Sequence, residues 1–337
     1  MRQRPSLIDI WDRVGLLLIV MISWFVFALF AEGFVSDFNI YSVGRAAAVS
    51  VVVGLAQMVV IAIGGMNISV GAIGGVVAMF TGWLLQIWQV PIPVAILGGI
   101  AMGASLGAFN GIVIARTGIN SFVATLGTGS VFSGVMYIAT KVQAFSSLPS
   151  AFINLGQTRW LDLSSLVWGM IVAGVLLWLL YRGTTLGRQM LATGANPRAA
   201  RLSGVPVDRI VVATHVLSGA LAGLAGVMLL LRIGSAIPTI GDDWVLASFA
   251  APAVGGTLLS GGVVSVFGTF IGGLLLATIG NGLTLMNIPN FWVELSTGLV
   301  LLLAVLLDRA RTVAVQRSRA GRVPVAVKAA DATTMPL

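Results

Sequence analysis

The chain has 337 residues, 58% of them hydrophobic and 9% charged, with a formal net charge of +8. Soluble domains carry about 25% charged residues, so this composition cannot clothe a water-facing surface, and the chain reads as an integral membrane protein. It has no cysteine and one histidine, His215, which excludes a disulfide framework, a thiolate or multi-histidine metal site and a catalytic thiol.

About 20 apolar residues cross a bilayer core, and ten such runs, some short, follow one another along the chain. They are 14–31, 46–64, 68–88, 94–115, 122–140, 163–181, 210–231, 245–259, 263–285 and 291–307. The first follows a charged segment and has no small-residue cleavage site before Glu32, so it reads as an anchored span. The eighth contains Pro252 and Gly255-Gly256 and is too short to span untilted, which suggests a half-helix or re-entrant piece. An all-α polytopic protein with about ten transmembrane helices, some short or broken, is therefore expected; eight or twelve crossings remain compatible with hydropathy.

An even number of crossings places both termini on one side. Arg45, Lys141, Arg159 and Arg232 then fall on the other side, against the remaining fifteen of the 19 Lys and Arg residues. Basic residues are retained on the cytoplasmic side, so both termini are expected in the cytoplasm. The positive charge thus reports orientation, and no nucleic-acid partner is inferred. The expected organisation is a cytoplasmic segment 1–13, a transmembrane domain 14–307 with a cytoplasmic loop 182–209, and a disordered cytoplasmic tail 308–337.

Glycine occurs 42 times. Gly99, Gly103, Gly107 and Gly111 form one ridge, and the pairs Gly71/Gly75, Gly219/Gly223 and Gly268/Gly272 repeat the spacing, which lets helix backbones approach closely in lipid. They read as packing, with a sliding or pore-lining face as the alternative. Two clusters differ because polar residues accompany the glycines between apolar runs: Gly64-Gly-Met-Asn-Ile-Ser-Val-Gly71, and Gly255-Gly256-Thr257 followed by Ser260-Gly261-Gly262. Irregular backbone at membrane depth survives only where protein or a water-filled cavity satisfies it. Asn67, Ser69, Gly71, Gly255, Gly256 and Thr257 are accordingly candidates for a translocation path or gate; tight turns at the membrane surface are the rival reading.

The absences narrow the function. No Asp or Glu lies in the interior of a predicted span, Glu294 standing at the outer end of the last, whereas proton- or sodium-driven carriers usually need ionisable or cation-coordinating groups near midplane. His215 lies near the cytoplasmic end of its span and reads as a packing residue. There is no Ser/His/Asp triad, no HExxH and no paired intramembrane carboxylates, and neither Lys141 nor Lys328 sits in a P-loop. The chain is not expected to be an enzyme, to bind ATP by a P-loop of its own, or to hold a metal or cofactor.

The loop 182–209 is the longest polar gap before the tail. Asn196 is a good N-cap, Pro197 is pre-set for the first helical position, and Gly204 followed by Pro206 makes a stop. The spacing predicts a helix of about two turns carrying Arg198 and Arg201. Such a helix suits docking to a soluble partner, although a charged connector would also satisfy the pattern.

At these motifs the chain resembles the permease subunits of bacterial ABC importers of the ribose type, over about residues 45–310. The resemblance is carried by Gly64–Gly71, by Asn110-Gly-Ile-Val-Ile-Ala115 with Phe122-Val-Ala-Thr-Leu-Gly127, by Ala192–Gly204, and by Ala253–Thr257 with Gly261-Gly262 and Gly268-Thr269. It implies a multi-pass permease in the bacterial inner membrane, surrounded by lipid, that passes a sugar or sugar-like solute. It also implies a cytoplasmic ATP-binding subunit, an extracytoplasmic solute-binding protein, and a second permease copy or paralogue. Gly194, Asn196, Pro197, Ala199, Ala200 and Gly204 match the family's coupling helix, to which this chain adds Arg198 and Arg201. Family members commonly carry Asp where Asn67 stands, so a role needing a carboxylate is not implied here. An ion-gradient-driven carrier or a passive channel for a small polar solute is the alternative.

Overall fold

Twelve buried residues in succession, Val51 to Ala62, mark the axis of the molecule. They close α2 (Asp37–Ile61), whose start is capped by the Ser36 hydroxyl accepting from Asn39 N–H. A helix that is apolar and buried on all sides must be ringed by others. The computed structural model describes residues 7–289, 291–303, 305 and 306; the expected tail 308–337, and the first six residues of the N-terminal segment, lie outside them.

The remaining helices are α1 (Leu7–Phe30), α3 (Val70–Gln86), α4 (Ile92–Thr117), α5 (Ser121–Thr140), α6 (Ser150–Gln157), α7 (Ser165–Gly183), α8 (Thr185–Ala195), α9 (Pro197–Leu202), α10 (Val207–Ile233), α11 (Trp244–Val254), α12 (Val266–Leu285) and α13 (Phe291–Leu303). Among the described residues six helices, α2, α4, α5, α7, α10 and α12, are long and apolar enough to cross a membrane. Shorter apolar helices occupy Gly15–Phe30, α3, α11 and α13. Each predicted run therefore holds a helix, with shifted ends: the second starts nine residues early, at Asp37, because polar Asn39 and Tyr41 find partners in the outer turns. Asn39 donates to Asn281 Oδ1 on α12 at 3.0 Å, and Tyr41 donates to Gln157 O at 2.9 Å. Among the described residues the all-α expectation is broken by one small hairpin, β1 (Arg159–Trp160) paired antiparallel with β2 (Leu163–Ser164).

Helices α7, α10, α11 and α12 pack around α2, and α4 lies along α10. The α4–α10 seam is built on the predicted glycine ridge. A Cβ at Gly103 would lie 2.5 Å from Gly219 O, and at Gly107 it would overlap His215 O. The outer helices α4, α5 and α7 turn most of their apolar side chains outward, as lipid-facing surfaces do; Ile138 is 81% exposed.

The eighth run is broken. Its helix α11 has 11 residues and starts beside the start of α3: a Cβ at Gly71 would lie 3.6 Å from Trp244 Cβ. Between α10 and α11 the chain runs in irregular form along α3 in the reverse direction. Ala236 touches Gly82, Ile240 touches Gly75 and Gly241 touches Gly71. The glycines of α3 admit this segment, since a side chain at Gly71 or Gly75 would strike its backbone and one at Gly82 the Ala236 Cβ. From their adjoining starts α3 leads toward Ala236, and α11 leads toward the contact of Gly255 with Gly268 at the start of α12.

Candidate functional site

The first glycine-rich junction, Gly64–Ser69, is irregular backbone that buries Gly65, Asn67 and Ser69 and leaves Gly64 and Met66 exposed. Every backbone N–H along it finds a partner. Gly64 and Gly65 donate back to Ile61 O and Val60 O, Met66 to Ser121 Oγ at 2.9 Å, and Ile68 to Thr125 Oγ1 at 2.9 Å. Asn67 N–H donates to the Gln57 amide at 3.1 Å, and that amide donates to Asn67 O at 2.9 Å once its oxygen and nitrogen are assigned to suit their partners. Ser69 N–H donates to Asn67 Oδ1 at 3.1 Å. Side chains of α2 and α5 thus replace the hydrogen bonds that a helix would have made for itself.

The side chains of the junction extend this network. Ser69 Oγ donates to Asn67 Oδ1 at 2.7 Å, Asn110 Nδ2 on α4 donates to Ser69 Oγ at 2.8 Å, and Asn67 Nδ2 donates to Ser218 Oγ on α10 at 3.0 Å. Asn67, Ser69, Asn110, Gln57 and Ser218 are all at 0% exposure. Asn67 and Ser69 therefore sit in the middle of four helices rather than on a cavity wall of this chain. A cavity of about 540 Å³ does adjoin the junction on its Ile63–Met66 side, bounded also by Ser121, Phe122 and Val211. Gly71, at the start of α3, faces Gly241.

The second junction lies against the first. Gly255 touches the Gly268 backbone, Gly256 is exposed with φ +79°, and Thr257 is buried with its Oγ1 accepting from Ser265 N–H at 3.2 Å. Gly262 N–H donates to Ala62 O at 3.0 Å, and a Cβ at Gly261 would lie 2.6 Å from Gly64 N. Two stretches separated by nearly 200 residues of sequence meet backbone to backbone.

The polar loop joins them. It forms two helices, α8 and α9, where the sequence predicted one. Asn196 ends α8 and caps α9, its Oδ1 accepting from Arg198 N–H at 3.1 Å and Ala199 N–H at 3.0 Å. Pro197 is the first residue of α9, and Gly204 takes φ +82° just after it. Ala200 packs inward, whereas Arg198, Ala199, Arg201 and Leu202 face out. Arg201 pairs with Asp208 at the start of α10, both ends well exposed, so this pair contributes little to stability. Gly194, near the end of α8, touches Ala62, at the end of α2 just before the first junction, and Gly262 of the second.

Two groups of residues escaped the sequence reading. Leu202 is 91% exposed at the tip of α9, and nothing in the spacing of the loop sets it apart from Leu186 and Leu191, which are half-buried. Gln57, Thr125 and Ser218 supply the junction's hydrogen bonds; each is a polar residue in an apolar run, but their meeting point cannot be read from spacing.

Compared with known proteins, residues 39–306 match the family described as branched-chain amino acid transport system / permease component. The chain is 31% identical to the D-allose transport system permease protein of Escherichia coli (strain K12) over 300 residues, 89% of this chain and 92% of that one. It is 34% identical to the ribose import permease protein of Bacillus subtilis (strain 168) over 305 residues, 90% of this chain and 94% of that one. With the L-arabinose ABC transporter permease protein of Azospirillum brasilense it shares 31% identity over 310 residues, 92% of this chain and 91% of that one. No solved structure matches.

Proposed function

Because the chain belongs to this family of transport permease components, we propose that it forms the path by which a sugar enters the bacterial cytoplasm in an ABC importer. It is a multi-pass transmembrane permease subunit and not itself an enzyme; ATP is hydrolysed in a separate subunit. The family description names branched-chain amino acids, yet the relatives' names are those of sugars, and the sugar is inferred from those names.

The reading of the site rests on one observation. An exposed, capped helix, α9, follows directly on α8, whose Gly194 touches Ala62 and Gly262 beside the two backbone breaks. In this reading the loop 182–209 presents α9 to the cytoplasmic ATP-binding subunit. Arg198, Ala199, Arg201 and Leu202 meet the partner, Asn196, Pro197, Ala200 and Gly204 shape the helix, and Gly194 connects it to the bundle. Asn67, Ser69, Gly71, Gly255, Gly256 and Thr257 hold the breaks that border the path or its cytoplasmic gate. The path is completed by a second copy or a paralogue, and an extracytoplasmic binding protein delivers the sugar. The chain crosses the inner membrane ten times, the eighth crossing being the irregular segment plus α11, and both termini are cytoplasmic.

Reconstitution in proteoliposomes tests the proposal, with the ATPase and binding protein supplied and D-ribose, D-allose and L-arabinose offered in turn. Uptake should require ATP and both partners and should survive a protonophore. Uptake without ATP that collapses with the proton gradient would instead identify an ion-driven carrier, and uptake with neither energy source a channel.

A further inference from the structure

Four glycines, 64, 194, 261 and 262, converge where α8 meets the bundle. A Cβ added to Gly194 would overlap Ala62 O and lie 2.5 Å from Gly262 N. Those two atoms are themselves hydrogen-bonded at 3.0 Å. A Cβ at Gly261 would come within 2.6 Å of Gly64 N and 3.1 Å of Gly194 O, and one at Gly64 within 3.2 Å of Ser260 O. The end of α2, the turn before α12 and the end of α8 are thus in contact through main chain, with no flexible side chain between them. Close-packed backbone of this kind is barely compressible and passes on displacement. One residue, Ala195, separates Gly194 from the Asn196 cap of α9.

We propose that Gly194 is a positioning residue that does not touch the ATPase. It fuses α8 to both junctions in one rigid joint, so that displacement of α9 reaches Gly64–Ser69 and Gly255–Gly262 together. This rests on the reading of α9 as the helix that docks on the ATPase. Position 194 tolerates no side chain because any Cβ would force the three segments apart. The joint also explains why the glycines at 194, 261 and 262 fall outside the helix–helix spacing of the packing ridges: they join ends of elements, not faces.

The experiment uses the complete complex in proteoliposomes with the pentose or hexose that drives uptake by the unmodified protein. Gly194→Ala should retain the ATP-binding subunit and its basal hydrolysis. Stimulation of hydrolysis by loaded binding protein, and uptake, should each fall at least tenfold. Leu202→Asp, on the exposed face of α9, should instead release the ATPase; retention there overturns the docking reading and leaves the Gly194 result to be judged separately. Uptake by Gly194→Ala within twofold of the unmodified rate, or loss of ATPase binding like that expected for Leu202→Asp, overturns the joint.

A second variant decides the matter where Gly194→Ala does not reach the membrane. A Cβ at Gly262, where φ is +82°, would lie 3.1 Å from Ala195 Cβ, below the roughly 3.5–4.5 Å of a disulfide, so the bond forms with a shift of a few tenths of an ångström and each cross-linked sample is compared with its own reduced form. In the cysteine-free chain, Ala195→Cys with Gly262→Cys should cross-link on oxidation, which itself reports a folded joint. A rigid joint predicts uptake after cross-linking within twofold of the reduced variant. Loss of uptake on oxidation, restored by reductant, would mean that the segments slide past one another and would overturn the proposal.

Discussion

Asn67 satisfies three groups at once: its Oδ1 accepts from Ser69 N–H and Oγ, and its Nδ2 donates to Ser218 Oγ. Leucine there is close in volume but leaves those groups unpaired, at a cost of about 1–3 kcal/mol for each buried group. Asn67→Leu should therefore lower the thermal denaturation temperature of the solubilised protein more than Ser218→Ala, which orphans only the Asn67 amide N–H. Asn67→Asp keeps the Oδ1 acceptor, and the Ser218 hydroxyl can turn to donate. It should assemble and pass solute at a rate nearer the unmodified protein than Asn67→Leu does; equal loss in both would show that the amide N–H is the indispensable group. Glycines supply a similar contrast. Gly107→Leu would drive a side chain into His215 O, whereas Gly127→Ala meets nothing within 4 Å. The first should abolish stable assembly and the second leave it unchanged, as read by gel filtration in detergent.

At the scale of the element, α9 is six residues long and its start depends on a single cap. Asn196→Ala removes two side-chain hydrogen bonds and should cost about 0.5–2 kcal/mol of helix stability. Ala200→Pro removes the bond from Ala200 N–H to Asn196 O and should cost about 3 kcal/mol. Both variants should insert normally; uptake should be reduced by the first and lost in the second, and unimpaired uptake with Ala200→Pro would leave α9 a connector. The cap was legible in the sequence because Asn-Pro and Gly-x-Pro are local signals. The apolar runs were legible too, since the bilayer imposes a length on them. What spacing could not disclose was the three-dimensional company of the breaks: nothing local says that Gly64, Gly194 and Gly261 meet. Helix α8, Thr185–Ala195, lies in a polar gap between apolar runs and was read as loop; it is held by its Thr184 cap and by packing of Met190. The irregular stretch before α11 was invisible because its backbone is accommodated by α3 glycines more than 150 residues away.

For the molecule as a whole, orientation is the first matter to test. Arg159→Cys and Arg198→Cys, each alone in the cysteine-free chain, should label oppositely with a membrane-impermeant maleimide: position 159 in intact cells, position 198 only after permeabilisation. The reverse pattern would invert the protein. A second consequence comes from the adjoining starts of α3 and α11, which lead off in different directions from Gly71 and Trp244. Each helix start carries the equivalent of roughly +0.5 elementary charge from its aligned peptide dipoles. At α11 the exposed carboxylates of Asp242 and Asp243 offset that charge, whereas at α3 the first residues, Ser69 to Gly71, are buried and uncharged, so the positive end of α3 stands uncompensated where the bundle is interrupted. Dipole ends of this kind hold back protons and other cations, yet an uncharged sugar gains or loses almost nothing by passing them. Liposomes containing the chain alone should therefore hold an imposed proton gradient as long as empty ones do, and a faster leak would show that the seam is no barrier. The interruption that lets backbone meet backbone would in this way also keep the membrane electrically tight while the cell feeds.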